Sequence, residues 1–258
     1  MAEIDPRAVV GEGARLADDV KIGPFAVIGG KVRIGRGTVV SAHAVIEDNT
    51  VIGEDNWIAP FAVLGGAPQH VTYKGEETSL VIGDRNKVRE YVTIHRGTRG
   101  GRGETRVGSD NFIMVGCHIA HDCVLGDRII MANLATVAGH VVVEDDAVFG
   151  GFVGVHQYCK VGRAVMIAAG TKSPKDITPF ALVGGEPPRF VGLNRVGLKR
   201  IGLPEASRSA LRKAYRLIFG KEGLEKGLAR AEAEFGTVPE VAHLLEFILT
   251  SERGILRD

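Results

Sequence analysis

Four of the eight histidines crowd into one stretch of the 258-residue sequence: His118, His121, His140 and His156. Imidazole changes protonation near neutral pH, so a cluster of this kind is where proton transfer is to be sought. Three roles compete. A neutral imidazole can act as general base toward a hydroxyl. Three imidazoles can hold a zinc ion, although no carboxylate-rich supply stands nearby. Each ring can also serve structurally, hydrogen-bonded at a subunit contact. Asp122 follows His121 and can hold its tautomer or charge, which favours the base at that position. His43 and His95 are read as structural. Three cysteines without C-x-x-C spacing give no metal framework and suit a reducing cytoplasm.

The elements that position these rings follow from a repeat. Stepping by six from Ile4 gives Val10, Leu16, Ile22, Ile28, Ile34, Val40, Ile46, Ile52, Ile58 and Leu64. The register returns at Ile82, Val88 and Ile94, and again from Val107 to Ile167. A six-residue period fits neither a helix nor a simple two-residue alternation. It fits a short strand and a turn per hexad, with one aliphatic pointing inward. Three hexads close a triangular coil of 18 residues, and IGPFAVIGG at 22–30 recurs as IAPFAVLGG at 58–66, two coils on. The position four after each aliphatic is usually small, as at Ala26, Thr38, Ala44 and Ala135, and Cys117, Cys123 and Cys159 occupy that same slot. They are therefore expected to be buried, inert thiols. Because residues 18 apart stack, His121 and His140, 19 apart, should nearly meet.

The expected fold is an all-β left-handed parallel β-helix, a hexapeptide-repeat solenoid over 1–185, with a C-terminal helical domain over 186–258. Excursions leave the repeat near 65–80 and 97–106 and should loop out from one edge. The first carries a His, a Tyr and a Lys and is the better functional candidate. Pro187–Pro188 breaks the coil. Helices are predicted over Pro204–Phe219, Gly223–Phe235 and Pro239–Glu252, capping the open end of the prism. Between Arg189 and Arg216 stand eight basic residues and one acid, Glu205. This is either a solvated helix face or a landing patch for an acidic partner. A net charge of +1 gives no sign of nucleic-acid binding. No apolar run is long enough for a membrane span, and the N-terminal residues do not read as a signal peptide.

Specific strings narrow the reading. GDRNKVREYVTIHRGT at 83–98, VGSDNFIMVGCHIAHDCVLGD at 107–127, VAGHVVVEDDAVFGG at 137–151, VHQYCKVG at 155–162 and NRVGLKRIGL at 194–203 closely resemble the UDP-N-acetylglucosamine O-acyltransferases of lipid A synthesis. The resemblance covers almost the whole chain. It implies a cytoplasmic homotrimer with sites between subunits, a (3R)-hydroxyacyl group on acyl carrier protein as donor, the 3-hydroxyl of a UDP-amino sugar as acceptor, and no cofactor or metal. It places the base at His121, the oxyanion donor at the Gly139 N–H, and a helper and a sugar-contacting residue at His118 and His140. Ligand contacts fall on His156 and Gln157, nucleotide contacts on Asn194 and Arg200, and the control of acyl-chain length on Ala169. The basic stretch then suits the acidic acyl carrier protein.

Three positions depart from the family pattern. His70 and Thr72 stand where Asp and Lys are usual, and Val196 where Glu is usual; all three concern acceptor contacts. They keep a 3-amino analogue of the sugar open as acceptor. Other readings are an acetyl-CoA-dependent sugar acetyltransferase, the later N-acyltransferase of the pathway, a zinc carbonic anhydrase of β-helix type, and a non-enzymatic scaffold. The N-acyltransferase carries an extra uridine-binding domain before the helix, whereas the hexads here begin at Ile4.

Overall fold

Each hexad forms a two-residue strand that ends on its aliphatic. In Lys21–Ile22, Val27–Ile28 and Arg33–Ile34 the first side chain is exposed and the second buried, as alternation along a strand requires. Each strand pairs in parallel with the one a coil later: Lys21 with Val39, Val27 with Val45, Arg33 with Val51. Successive strands therefore lie on three different sheets. We call them faces A, B and C, of eleven, nine and eight strands. The computed structural model describes residues 1–257, and the coils form a left-handed parallel β-helix.

The aliphatics stack into a continuous core column, with Ile28, Ile46, Leu64, Ile94 and Ile119 fully buried beneath face B. The small slot lines the same interior. Cys117, Cys123 and Cys159 are buried there, and burial pushes their thiols up to about 11, about 12 and about 11. They are inert, as the hexad register implies. Ile4, Val10 and Leu16 keep the register but not the burial, because no coil lies beneath them.

Most corners place one residue in the left-handed backbone region just before the small slot. His43, Asp122, His140 and Tyr158 sit there with φ of 60°, 62°, 64° and 64°. That conformation costs most L-residues about 1–2 kcal/mol, and Asn, Asp and His tolerate it best. Corner side chains stand outside the prism and stack along its edges. Phe25, His43, Phe61 and Tyr91 form one such column where faces A and B meet. His43 is thus a structural ring, as its sequence position suggested.

The coil continues past Ile167, beyond the point where the hexad pattern fades. Lys172–Ser173 extends face B, and Ala181–Gly184 extends face A in parallel with Met166–Ile167. Arg189–Leu193 then returns antiparallel to Ala181–Gly184. Residues 186–258 thus open with a strand, not a helix, since the double proline sits in a reversal. Four helices follow: α1 (Arg195–Arg200), α2 (Glu205–Ile218), α3 (Leu224–Phe235) and α4 (Pro239–Leu249). At six residues α1 is too short to show a period, and the sequence reading has no counterpart to it. The last helix stops short of Glu252. Thr250 closes it with a hydroxyl bond to Glu246 O at 2.9 Å. The chain then runs back to the prism, where Ile255 bridges Asp176.

The apolar stripe of α2, with Leu211, Ala214, Tyr215 and Ile218, packs over Ala164 and Phe180 of the last coils. Tyr215 donates its hydroxyl to Thr178 Oγ1 at 2.8 Å. The helices thereby cover the end of the sheet stack. Among the described residues no helix is long and apolar enough to cross a membrane.

Candidate active site

The face-B strand His118–Ile119 and the face-C strand Val124–Leu125 are joined by one corner. Ile119 and Cys123 point inward, so His121 and Asp122 are forced to the outside. One coil on, Val137 stacks over Ile119, which puts Gly139 over His121 and His140 over Asp122. The rings of His121 and His140 lie 5.1 Å apart at 88°. Gly139 must lack a side chain here: a Cβ would lie 2.7 Å from His121 Cε1 and 2.9 Å from Nε2. The N–H groups of Ala138 and His140 donate to Val155 O and His121 O.

Asp122 is fully buried and fully bonded. It accepts from His121 Nδ1 at 2.8 Å, Thr98 Oγ1 at 2.7 Å, Thr98 N at 3.0 Å and Arg102 N at 2.8 Å. Its own N–H donates to Thr105 Oγ1 at 2.8 Å. Burial alone would push this carboxyl up. The hydrogen bonds from the Thr98 hydroxyl, His121 and the two backbone N–H groups outweigh that and hold it below the usual carboxylate range. An ionised carboxylate only accepts, so Nδ1 of His121 carries the hydrogen and Nε2 keeps its lone pair. Nε2 is the nitrogen beside Gly139, on the open side.

The two excursions close over this corner. The second, 97–106, supplies Thr98, Arg102 and Thr105, and a Cβ on Gly101 would lie 2.5 Å from the Asp122 carboxylate. Gly101 is therefore the glycine of this segment that the Asp122 carboxylate requires. The first, 65–80, brings the His70 ring edge-on to His121 at 5.2 Å, with His70 Nδ1 3.0 Å from Thr72 Oγ1. Tyr73 is held by Arg96 Nε at 3.0 Å.

Beside the corner, His118 Nδ1 meets Thr93 Oγ1 at 2.7 Å, and its ring lies 4.7 Å from that of His95. Burial brings His95 down to about 4 and lowers His118 and His140 too, Asp122 opposing the fall at His140. These rings are neutral at physiological pH. His118, His121, Gly139, His156 and Gln157 line one groove of about 830 Å³ along face B. Asn194, Arg200 and Ala169 are not part of it in the single chain. Asn194 is buried as the cap of α1, accepting from Gly197 N at 3.0 Å and donating to Ala164 O at 2.9 Å. Arg200 is exposed in the last turn of α1, and Ala169 is exposed at the corner of faces A and B. Val196 is exposed on α1, also away from the groove. A second cleft, of about 500 Å³, carries Arg195, Lys199, Arg208, Arg212 and Arg216 above Phe190 and Tyr215.

His121, Asp122 and His140 offer three ligand atoms within 4.8 Å of one another. The donors already on Asp122 occupy its lone pairs, and His121 Nδ1 is spent on it. The set fits an oriented base better than a metal centre. Sequence reasoning found the imidazoles through coil spacing but missed Thr98, Arg102 and Thr105. The signal available for them was the glycine content of 97–106.

Comparisons with known proteins agree with the geometry. Residues 176–256 match the family model described as UDP N-acetylglucosamine O-acyltransferase, domain 2, and residues 13–48 match the bacterial transferase hexapeptide model. An acyl-[acyl-carrier-protein]–UDP-N-acetylglucosamine O-acyltransferase of Thiobacillus denitrificans is 51% identical over 100% of both chains. One of Anaeromyxobacter sp. strain K is 45% identical over 98% of this chain and 99% of its own. The solved UDP-N-acetylglucosamine acyltransferase of Bacteroides fragilis superposes with a TM-score of 0.96 at 39% identity, covering 98% of this chain and 99% of that one. That of Francisella novicida gives 0.94 at 38%, covering 99% and 94%.

Proposed function

This chain belongs to the acyl-[acyl-carrier-protein]–UDP-N-acetylglucosamine O-acyltransferase family, and from that membership we propose how its corner at His121 carries out the transfer. It is an acyltransferase that moves an acyl group from acyl carrier protein to UDP-N-acetylglucosamine, the first step of lipid A synthesis. Our reading makes the acyl group a (3R)-hydroxyacyl chain and the acceptor atom the sugar 3-hydroxyl oxygen.

The observation that carries the mechanism is the 2.8 Å bond from His121 Nδ1 to buried, ionised Asp122, which leaves Nε2 basic and facing the groove. His121 Nε2 takes the hydroxyl proton as the oxygen attacks the thioester carbonyl. The tetrahedral oxyanion is held by the Gly139 N–H. The C–S bond then breaks, and the imidazolium gives its proton to the departing thiolate. A thioester is already activated, so the transfer needs no cofactor and no covalent enzyme intermediate. His118, His140, His156 and Gln157 bind the sugar and its phosphates. His70 and Thr72 border the acceptor.

We further assign the working unit as a cytoplasmic homotrimer. Phe25, Phe61, Tyr91, Leu134 and Phe152 run along the edge of faces A and B, each between 44% and 66% exposed. A stripe of large apolar side chains of that kind marks a contact surface. In such an assembly Ala169 of one copy comes beside the groove of the next and limits the acyl chain, while Asn194 and Arg200 meet the nucleotide. The basic cleft on α1 and α2 receives acyl carrier protein.

The deciding assay offers UDP-N-acetylglucosamine and its 3-amino analogue to the purified protein, each with a panel of acyl-carrier thioesters and with acetyl-CoA. Acylation of the hydroxyl sugar by carrier thioesters alone is expected. Preference for the 3-amino sugar would assign His70 and Thr72 to an amine acceptor, and turnover with acetyl-CoA would sink the donor assignment. His121→Ala is expected to lose nearly all turnover with the assembly preserved. A scaffold would be indifferent to that change.

A further inference from the structure

The groove takes in His156 and Gln157 and runs on to Pro174, Glu186 and Pro188, and the residue that meets His156 there comes from the far end of the sequence. Arg253 Nη2 lies 3.1 Å from His156 Nδ1 and 3.5 Å from Pro174 O. We propose that Arg253 is a phosphate-binding residue at the rim of the groove, and that it also fixes the tautomer of His156. The proposal rests on the groove being the substrate site.

Four observations support it. First, the segment carrying Arg253 is anchored. Asp176 is fully buried and takes the Ser251 hydroxyl at 2.7 Å. Asp176 N donates to Gly254 O at 2.9 Å, and Leu256 N to Asp176 O at 2.8 Å. Leu256 enters the prism core. A chain end held this firmly is not a frayed terminus, although it sits after the last helix. Second, the guanidinium is exposed and in no ion pair among the described residues, so its charge is available. Third, Lys172, paired with Gly154 two residues before His156, lines the same groove and adds a second cation on this side, with Glu186 the carboxylate in the lining. Guanidinium beside ammonium is a donor set suited to phosphate oxygens.

The fourth observation is the imidazole itself. His156 Nδ1 is also 3.3 Å from Gln157 O, and that bond would need a hydrogen on Nδ1. The two bonds exclude each other. A guanidinium only donates, so the shorter contact requires the lone pair on Nδ1 and the hydrogen on Nε2. Arg253 thus turns His156 into a donor toward the groove, where a phosphate or carbonyl oxygen accepts. Both substrates of the reaction carry phosphate: the nucleotide sugar as a diphosphate, the carrier arm as a phosphodiester.

Two measurements on the full chain decide it. Nitrogen-15 NMR of His156 should show the Nε2–H tautomer in the native protein and a shift toward Nδ1–H in Arg253→Gln. Calorimetry with UDP, uridine, 4′-phosphopantetheine and pantetheine locates the phosphate. Arg253→Gln should weaken one phosphorylated probe about tenfold, the loss expected for a charge-assisted hydrogen bond, and leave its unphosphorylated partner unchanged. Arg253→Lys should recover most of that affinity. Loss for UDP assigns the nucleotide sugar as the source, and loss for phosphopantetheine assigns the donor arm. Equal binding of both phosphorylated probes by native and variant protein, or no binding of either by the native protein, overturns the proposal whatever the tautomer does. Turnover of the native enzyme tests the groove separately.

Discussion

Asp122 draws four donors onto one carboxylate, and three of them come from a loop that the hexad pattern does not describe. The arrangement leaves His121 one allowed tautomer. Asp122→Asn keeps the shape but presents an amide that can donate to Nδ1, which reverses the proton's place and takes the lone pair away from the groove. Steady-state rates should show kcat lower by about 10²–10⁴, the usual worth of general-base assistance, with KM little changed. Gly139→Ala attacks the same ring sterically. Its methyl would sit inside the contact distance of Cε1, so the imidazole must move away. A displacement of about 1 Å can cost about 10² in rate, and kcat should fall by that order while thermal stability stays near that of the parent. If kcat survives Gly139→Ala, the ring is not where the chemistry happens.

At the scale of elements, the helical tail is held to the prism by more than apolar packing. His243 on α4 places Nε2 2.8 Å from Glu144, and that hydrogen bond raises the imidazole above its ordinary value. A raised pKa in the folded state means that the protonated form is the stabilised one. The contribution is complete below the unfolded value near 6.5 and fades as pH rises through the higher folded value. Thermal melts should therefore show His243→Gln costing more stability at pH 5.5 than at pH 8.5. A cost independent of pH would reduce the contact to packing. These elements were unequally legible in the sequence. Hexad aliphatics gave the faces and the burial of Cys117, Cys123 and Cys159, because a six-residue period has one steric solution. Coil spacing put His121 beside His140 for the same reason. Thr98, Arg102 and Thr105 stayed hidden, since an excursion has no period and its contacts depend on how it folds back. Arg189–Leu193 was missed because the double proline looked like a plain stop, and α1 because one and a half turns carry no stripe.

For the whole molecule, the exposed edge of faces A and B makes a joint prediction about assembly and chemistry. Phe152, 66% exposed, is the most open member of that edge. Phe152→Asp should convert the proposed homotrimer to monomer in light scattering and abolish turnover although His121 is untouched. A monomer that keeps its activity would return the site to the single chain. Ala169→Gly tests the same seam more gently. Removing one methyl should move the preferred acyl chain toward a slightly longer one, with kcat on the best chain retained. No change in preference would mean that this corner does not border the groove.

The ladder also sets what kinds of length change the chain can absorb. Thr50 pairs with Leu80 and Leu80 with Thr105, so two coils are longer than 18 residues, yet the strands on either side stay in step. The surplus is spooled outward at a corner. A deletion of six residues inside the ladder is a different matter: it would rotate everything after it by one face and carry the histidines to the wrong side. Viable length variants should therefore gain or lose whole coils, or residues within the two loops, and nothing in between.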